Sequence, residues 1–230
     1  MIMFSIVAFI ALGLPATGAE QPETPHLAFV SEYIRQLGEM ERIRAQGDKE
    51  LTAAREGKGN TLSSTIHTCT AIQLELRADI AMLKGMTLKP PLESVPDELA
   101  RFYQQKIELH ERLIEISTAF VGGPKPNVDY DKLAAEAPKI RAGLDFIDNA
   151  LLSDVTPLVF ASLIDERPDS KSHVSHLIIT RAEKATLLDQ LARRFGPKLD
   201  QKNQSLTVGA AQLLKAYLLK DFKCADEPWE

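Results

Sequence analysis

Two imidazoles three residues apart, His173 and His176 in "SHVSH", are the first place to look for metal chemistry. On a helix that spacing puts both rings on one face, where they can share an ion. A zinc hydrolase motif places a glutamate between its histidines, but Val174 and Ser175 stand here. Without carboxylate or thiolate company the pair specifies no metal site. The expectation is no metal and no other cofactor, with His173 and His176 as the candidates should an ion be carried.

His67 and Cys69 resemble a base beside a nucleophile. Two helical positions apart, however, their side chains diverge by about 200°, so a structural reading prevails. "NVDYDK" offers Asn127, Asp129 and Asp131 at the first three ligand positions of a calcium loop. The sixth position is Lys132 instead of glycine and the twelfth is Pro138 instead of glutamate, which fails that geometry. Asp129 reads better as a helix N-cap. "EGKGNT" lacks the spacing of a phosphate loop, and no G-x-S-x-G or C-x-x-C-H is present.

Three further residues are candidates for binding. Gln73 and Lys106 interrupt apolar stripes, where polar residues fix register at some cost in stability or face a ligand. Trp229, the only tryptophan, stands in the acidic tail "ADEPWE", where it packs or is presented to a partner.

The elements that would position these residues are helices. Leu62, Ile66, Cys69, Gln73, Leu76, Ile80 and Leu83 follow alternating steps of four and three, one helical stripe. Leu99, Phe102, Lys106, Leu109, Leu113, Ile116 and Phe120 repeat it, as do Leu133, Ala137, Ile140, Leu144, Ile147 and Leu151. Pro138 predicts a kink or restart in the last of these. A first helix should begin at Thr24–Pro25 with Leu27, Val30, Ile34 and Leu37 inward, and continue through a polar stretch with Gly47 as its weak point. Pro-rich connections, "TLKPPLESVP" and "GGPKPNV", suit antiparallel neighbours.

After residue 153 the pattern shortens. A Thr156–Pro157 helix entry is followed by "SKSHVSHLII", whose form is ambiguous. A capping box at Thr180 and Glu183 then starts a helix at Arg181. A last helix over about residues 204–222 has a wide apolar arc. The predicted fold is all-α: an antiparallel up-down bundle of four long helices, with about three shorter C-terminal helices packed on it. Residues 20–153 and 154–230 would form the two parts of a single domain.

The opening "MIMFSIVAFIALGLPATGAE" reads as a signal peptide. Residues 1–14 carry no charge, the run is too short to span a bilayer, and Thr17 and Ala19 suit a peptidase site before Glu20. No Lys or Arg precedes the run, so retention as an anchor is the alternative. The processed chain would be secreted or periplasmic, without stable membrane insertion. In an exported chain the two cysteines would pair, Cys69 with Cys224, tying the last helix to the bundle. Closing so long a loop is worth roughly 5 kcal/mol in the chain-entropy account.

The net charge of −5, with no basic run, argues against nucleic acid, which needs clustered Lys and Arg. No resemblance to a characterised family stands out. The functional expectation is a non-catalytic binding or scaffolding protein, not an enzyme, with an unidentified protein or small-molecule partner. A metal or haem carrier, or a carrier of an apolar small molecule between the helices, is the alternative.

Overall fold

The computed structural model describes residues 24–89, 92–165, 176–202 and 205–228. The all-α expectation holds: the described chain is mostly helical. Helix α1 spans Pro25–Arg55, α2 Thr61–Leu83, α3 Val95–Val121 and α4 Tyr130–Ala150. A π-helical turn, Leu151–Val155, leads into the short α5, Thr156–Ala161. Strands β1, Ile164–Asp165, and β2, His176–Leu177, form a two-residue antiparallel ladder. Helix α6, Arg181–Phe195, runs into a 3-10 turn, and α7 spans Leu206–Leu218.

The helix starts are chemical. Thr24 accepts from the Leu27 N–H with Pro25 in the first turn, Asn60 accepts from Leu62 and Ser63, and Asp129 accepts from Lys132. Each satisfies donors that have no intrahelical acceptor. The Thr180–Glu183 capping box is formed in both directions. Pro138 neither ends nor restarts α4, which runs through it as one element.

Gly47 is likewise no break. Helix α1 continues past it, and the glycine is a contact: a Cβ there would come within 2.5 Å of Thr68 Oγ1 on α2. The missing side chain lets two helices approach closely. Ahead of Pro157 the backbone widens into the π turn, because proline has no N–H to give to the turn before it. Thr156 Oγ1 donates to the Leu151 carbonyl at 2.9 Å across that turn.

Packing follows the chain at first: α2 lies chiefly against α3 and α1, and α4 against α3. Helices α5, α6 and α7 pack on α1 as well. That second set of neighbours explains why α1 is buried beyond its four-residue stripe, with Phe29, Tyr33, Gln36, Met40 and Ile43 also inside. Two apolar clusters result. The larger joins α1, the near ends of α2 and α3, and all the C-terminal elements. The smaller, around Cys69, Leu113, Ile116 and Ile140, joins α2, α3 and α4.

The two cysteines fall in different clusters, Cys69 in the smaller and Cys224 in the larger, and both are free buried thiols. The disulfide expected from the sequence is not formed. Helix α7 ends at Leu218, earlier than the apolar pattern suggests, so Phe222 and Cys224 lie in the segment beyond it. Backbone pairing fixes that segment instead. The Leu177 N–H donates to the Lys223 carbonyl at 2.8 Å and the Ala225 N–H to the Ile179 carbonyl at 2.9 Å. The Cys224 N–H is taken by Glu227 Oε2 at 2.7 Å. The proposed signal sequence, His173 and Trp229 lie outside the described residues.

Candidate functional site

The polar residues singled out in the sequence separate. Gln73, half-buried, donates from Nε2 to the Ile107 carbonyl at 3.0 Å and so spends itself on helix packing. His176 is buried, 1% exposed, on β2. Lys106 is 3% exposed, and its ammonium donates to Asp148 Oδ1 at 2.6 Å. The other Asp148 oxygen takes Arg44 from α1. One carboxylate on α4 therefore joins cations from α3 and α1.

Burial works to raise the Asp148 pKa, but Lys106 and Arg44 hold the carboxyl below its ordinary value. Burial pulls Lys106 down, with Asp148 opposing. His110, one turn along α3, is pushed down to about 4 by burial and by those two cations, so its ring is neutral at neutral pH. Its Nδ1 has no partner among the described residues. Beside this cluster a chamber of about 20 Å³, bounded by Tyr103, Lys106, Asp148, Leu152 and Thr207, has room for one water.

A second ionic cluster joins α1 to α2. Arg35 chelates Glu32 through Nε and Nη2 at 2.8–3.0 Å, meets Glu75 Oε1 at 2.7 Å, and pairs with Asp79 Oδ1. Gln36 donates to Glu32 at 3.1 Å and accepts from the Tyr103 hydroxyl at 2.9 Å, which carries the network to α3. Asp79 is fully buried and its Oδ2 has no partner among the described residues. Burial lifts its pKa to about 7, Arg35 works against that, and the Glu75 and Glu32 charges add to it. Both clusters hold helices in register. The Asp148 cluster borders only the small chamber, while Glu75 of the second cluster reaches the edge of a groove between α1 and α2.

Space of ligand size lies elsewhere, at the N-terminus of α1. A cleft of about 470 Å³ is bordered there by Thr24, Pro25 and His26, by Lys89 and Leu92 before α3, and by Ala161, Ser162, Ile164, Asp165 and Ile178. That is within the range of small-molecule sites. Its walls are mainly apolar. Its polar groups are the first turn of a 31-residue helix with His26, together with Lys89, Ser162 and Asp165.

His26 is nine-tenths buried, and its Nδ1, closed off from solvent, has no partner among the described residues. Its pKa is lowered by burial and then by the Lys89 charge, so the two groups are within electrostatic reach. Ser162 Oγ is committed to the Val159 carbonyl at 2.6 Å. Lys89 is exposed and has no ion-pair partner among the described residues.

A groove of about 430 Å³ between α1 and α2 offers less. Its charges are already paired, Arg42 with Glu39 and Glu75 with Arg35. The cleft was not legible in the sequence. Its walls come from positions 24–26, 89 and 92, 161–162, 164–165 and 178, which no local spacing connects. The only local signals were the isolated His26 and the Thr24–Pro25 cap.

No family model, no curated protein and no solved structure matches this chain. The site is therefore read on its own chemistry.

Proposed function

We propose that this chain is an exported, non-catalytic binding protein, and that it takes a small molecule in the cleft at the N-terminus of α1. The observation that carries the reading is the cleft itself: about 470 Å³, mainly apolar walls, and a few polar groups on its border, His26, Lys89 and Asp165 among them. A few placed polar groups in an apolar hollow are the usual make-up of a ligand site. No pair of groups in the cleft has the arrangement of a nucleophile and its base, which favours binding over catalysis.

The remaining elements serve as a frame. The short connections 56–60, 84–94 and 122–129 support the antiparallel up-down reading of the four long helices. Ion pairs tie α1 to α2 and α4, and the Tyr103–Gln36 hydrogen bond ties it to α3, so the first turn of α1 is presented by a rigid element. The interior supports a core carrier less well, since the chamber beside Lys106 holds about 20 Å³.

Export rests on the uncharged run of residues 1–14 and the small residues before Glu20. N-terminal sequencing of the exported product should begin at Glu20. Native mass spectrometry of protein released gently from its compartment should show a bound species that the cleft-filling variant Ala161→Trp lacks. The reading fails if the protein is bare and no member of a fragment panel, whether neutral, cationic or anionic, moves the amide resonances of Ile164 and Ile178.

A further inference from the structure

We propose that residues 219–227 form a strap that holds one wall of the cleft in place, so that releasing the strap loosens the site. The proposal rests on the cleft being a ligand site and goes on to say how that site is regulated.

Helix α7 stops at Leu218, and the chain beyond it comes to lie parallel to β2. Phe222 and Cys224, two residues apart, both join the larger apolar cluster, as alternate positions of an extended segment can. The grip on β2 is backbone to backbone. The Leu177 N–H donates to the Lys223 carbonyl at 2.8 Å, and the Ala225 N–H donates to the Ile179 carbonyl at 2.9 Å. These two bonds bracket Ile178, which lines the cleft. The Ile178 N–H itself is given to the Leu163 carbonyl at 2.8 Å and not to the strap.

The strap also reaches the adjoining part of the wall. The Phe222 ring meets that of Phe160 on α5, with centroids 5.6 Å apart. Phe160 immediately precedes Ala161 and Ser162, both on the cleft border. One segment thus braces α5 and β2 together. Its far end is fixed at the start of α6, where Asp226 accepts from the Arg181 N–H at 3.0 Å and from Arg181 Nε at 3.3 Å.

The strap is the weak member of this assembly. The Arg181 and Asp226 side chains are 67% and 37% exposed, and an ion pair so open to water adds little. Leu219, Lys220 and Asp221, where the strap leaves α7, are exposed as well. Segments with few buried contacts open locally before the whole fold does. An open strap leaves Ile178 held only from the β1 side. A molecule packed in the cleft against Ile178 resists that opening, and by linkage the opening weakens its binding by the same factor.

The test uses the paired change Ala225→Pro and Asp226→Ala, which removes a ladder donor and the α6 contact. Both side chains are exposed, so the fold should survive; Asp226→Ala alone serves if the proline prevents folding. Alkylation by N-ethylmaleimide, mapped by peptide, should quicken about tenfold at Cys224 and stay unchanged at Cys69. Amide exchange at Ile178 should quicken too, although its own hydrogen bond is untouched. Decanol, an uncharged probe suited to mainly apolar walls, should shift the Ile164 amide of the wild type and bind the variant several-fold more weakly.

Equal quickening at Cys69 and Cys224 would mean that the whole molecule opens, and would overturn the strap. So would exchange that quickens at Leu177 but not at Ile178, since the segment would then fray without moving the wall. Equal decanol affinities in the two proteins would overturn the regulation and leave the cleft a ligand site. If decanol binds neither protein while Ile178 still quickens, the strap is a structural tie only and its regulatory role falls.

Discussion

The two ionic clusters along α1 are built to opposite charge ratios. Near its start, one guanidinium, Arg35, faces three carboxylates, Glu32, Glu75 and Asp79. Two and a half turns later, one carboxylate, Asp148, faces two cations, Lys106 and Arg44. In each, a buried group on the side of the surplus sign is driven toward neutrality. Asp79, fully buried among acids, rises to about 7, and His110, buried beside the cations, falls to about 4. Asp148, the minority charge, stays ionised. The difference teaches that burial alone does not decide protonation: burial sets the cost of charge, and the local excess of sign decides who bears it.

The largest expected effect comes from removing the minority charge. Asp148→Ala leaves Lys106 buried, and Arg44 half-buried, without a counter-charge, and breaking such a buried pair from one side costs about 3–5 kcal/mol. Urea denaturation should show it as a lowered midpoint. A loss below 1 kcal/mol would mean the cations relax to solvent and the cluster is not a lock.

The next effect is in pH dependence, where the clusters should pull in opposite directions. The folded Asp79 value of about 7 lies above its ordinary 3.8, so the unfolded chain loses its proton first and stability falls as pH rises from about 4 to about 7. The folded His110 value of about 4 lies below its ordinary 6.5. Here the unfolded chain gains its proton first, and stability is lost as pH falls from about 6.5 to about 4. Each slope is at most about 1.4 kcal/mol per pH unit. Asp79→Asn should therefore make stability rise more steeply with pH than in the wild type, and His110→Gln should make it rise less steeply. Parallel curves for wild type and both variants would erase the comparison.

The smallest effect lies at the two thiols, which touch neither cluster. Burial pushes Cys69 up to about 11 and also raises Cys224, so both should resist alkylation in the folded protein. Denatured, unreduced protein should titrate two thiols per chain, and reductant should leave the melting temperature unchanged. A drop on reduction would restore the Cys69–Cys224 bond, and the separate clusters would then have to come together.

Local rules carried well. The Thr24, Asn60 and Asp129 caps and the Thr180–Glu183 box were legible, because a cap is chemistry between residues three apart. The helical stripes were legible for the same reason. Lys106 drew notice as a polar residue on an apolar stripe, and it proved to be buried. Its partners Arg44 and Asp148 did not, since charged residues on helices are solvated by default. Gly47 read as a weakness because propensity is a single-residue property. Its value as a contact depends on Thr68, which reaches it from another helix.

The sequence by itself determined the helical class, the helix starts and the inward faces, all set by backbone hydrogen bonding and by a period of 3.6. Only the tertiary structure decided which carboxylate meets which cation, and that the cysteines lie in separate clusters. It alone built a ligand-sized cleft from four distant stretches. Those outcomes depend on how helices dock against one another. Docking brings together residues such as Arg44 and Asp148, 104 positions apart, and no local spacing encodes such a meeting.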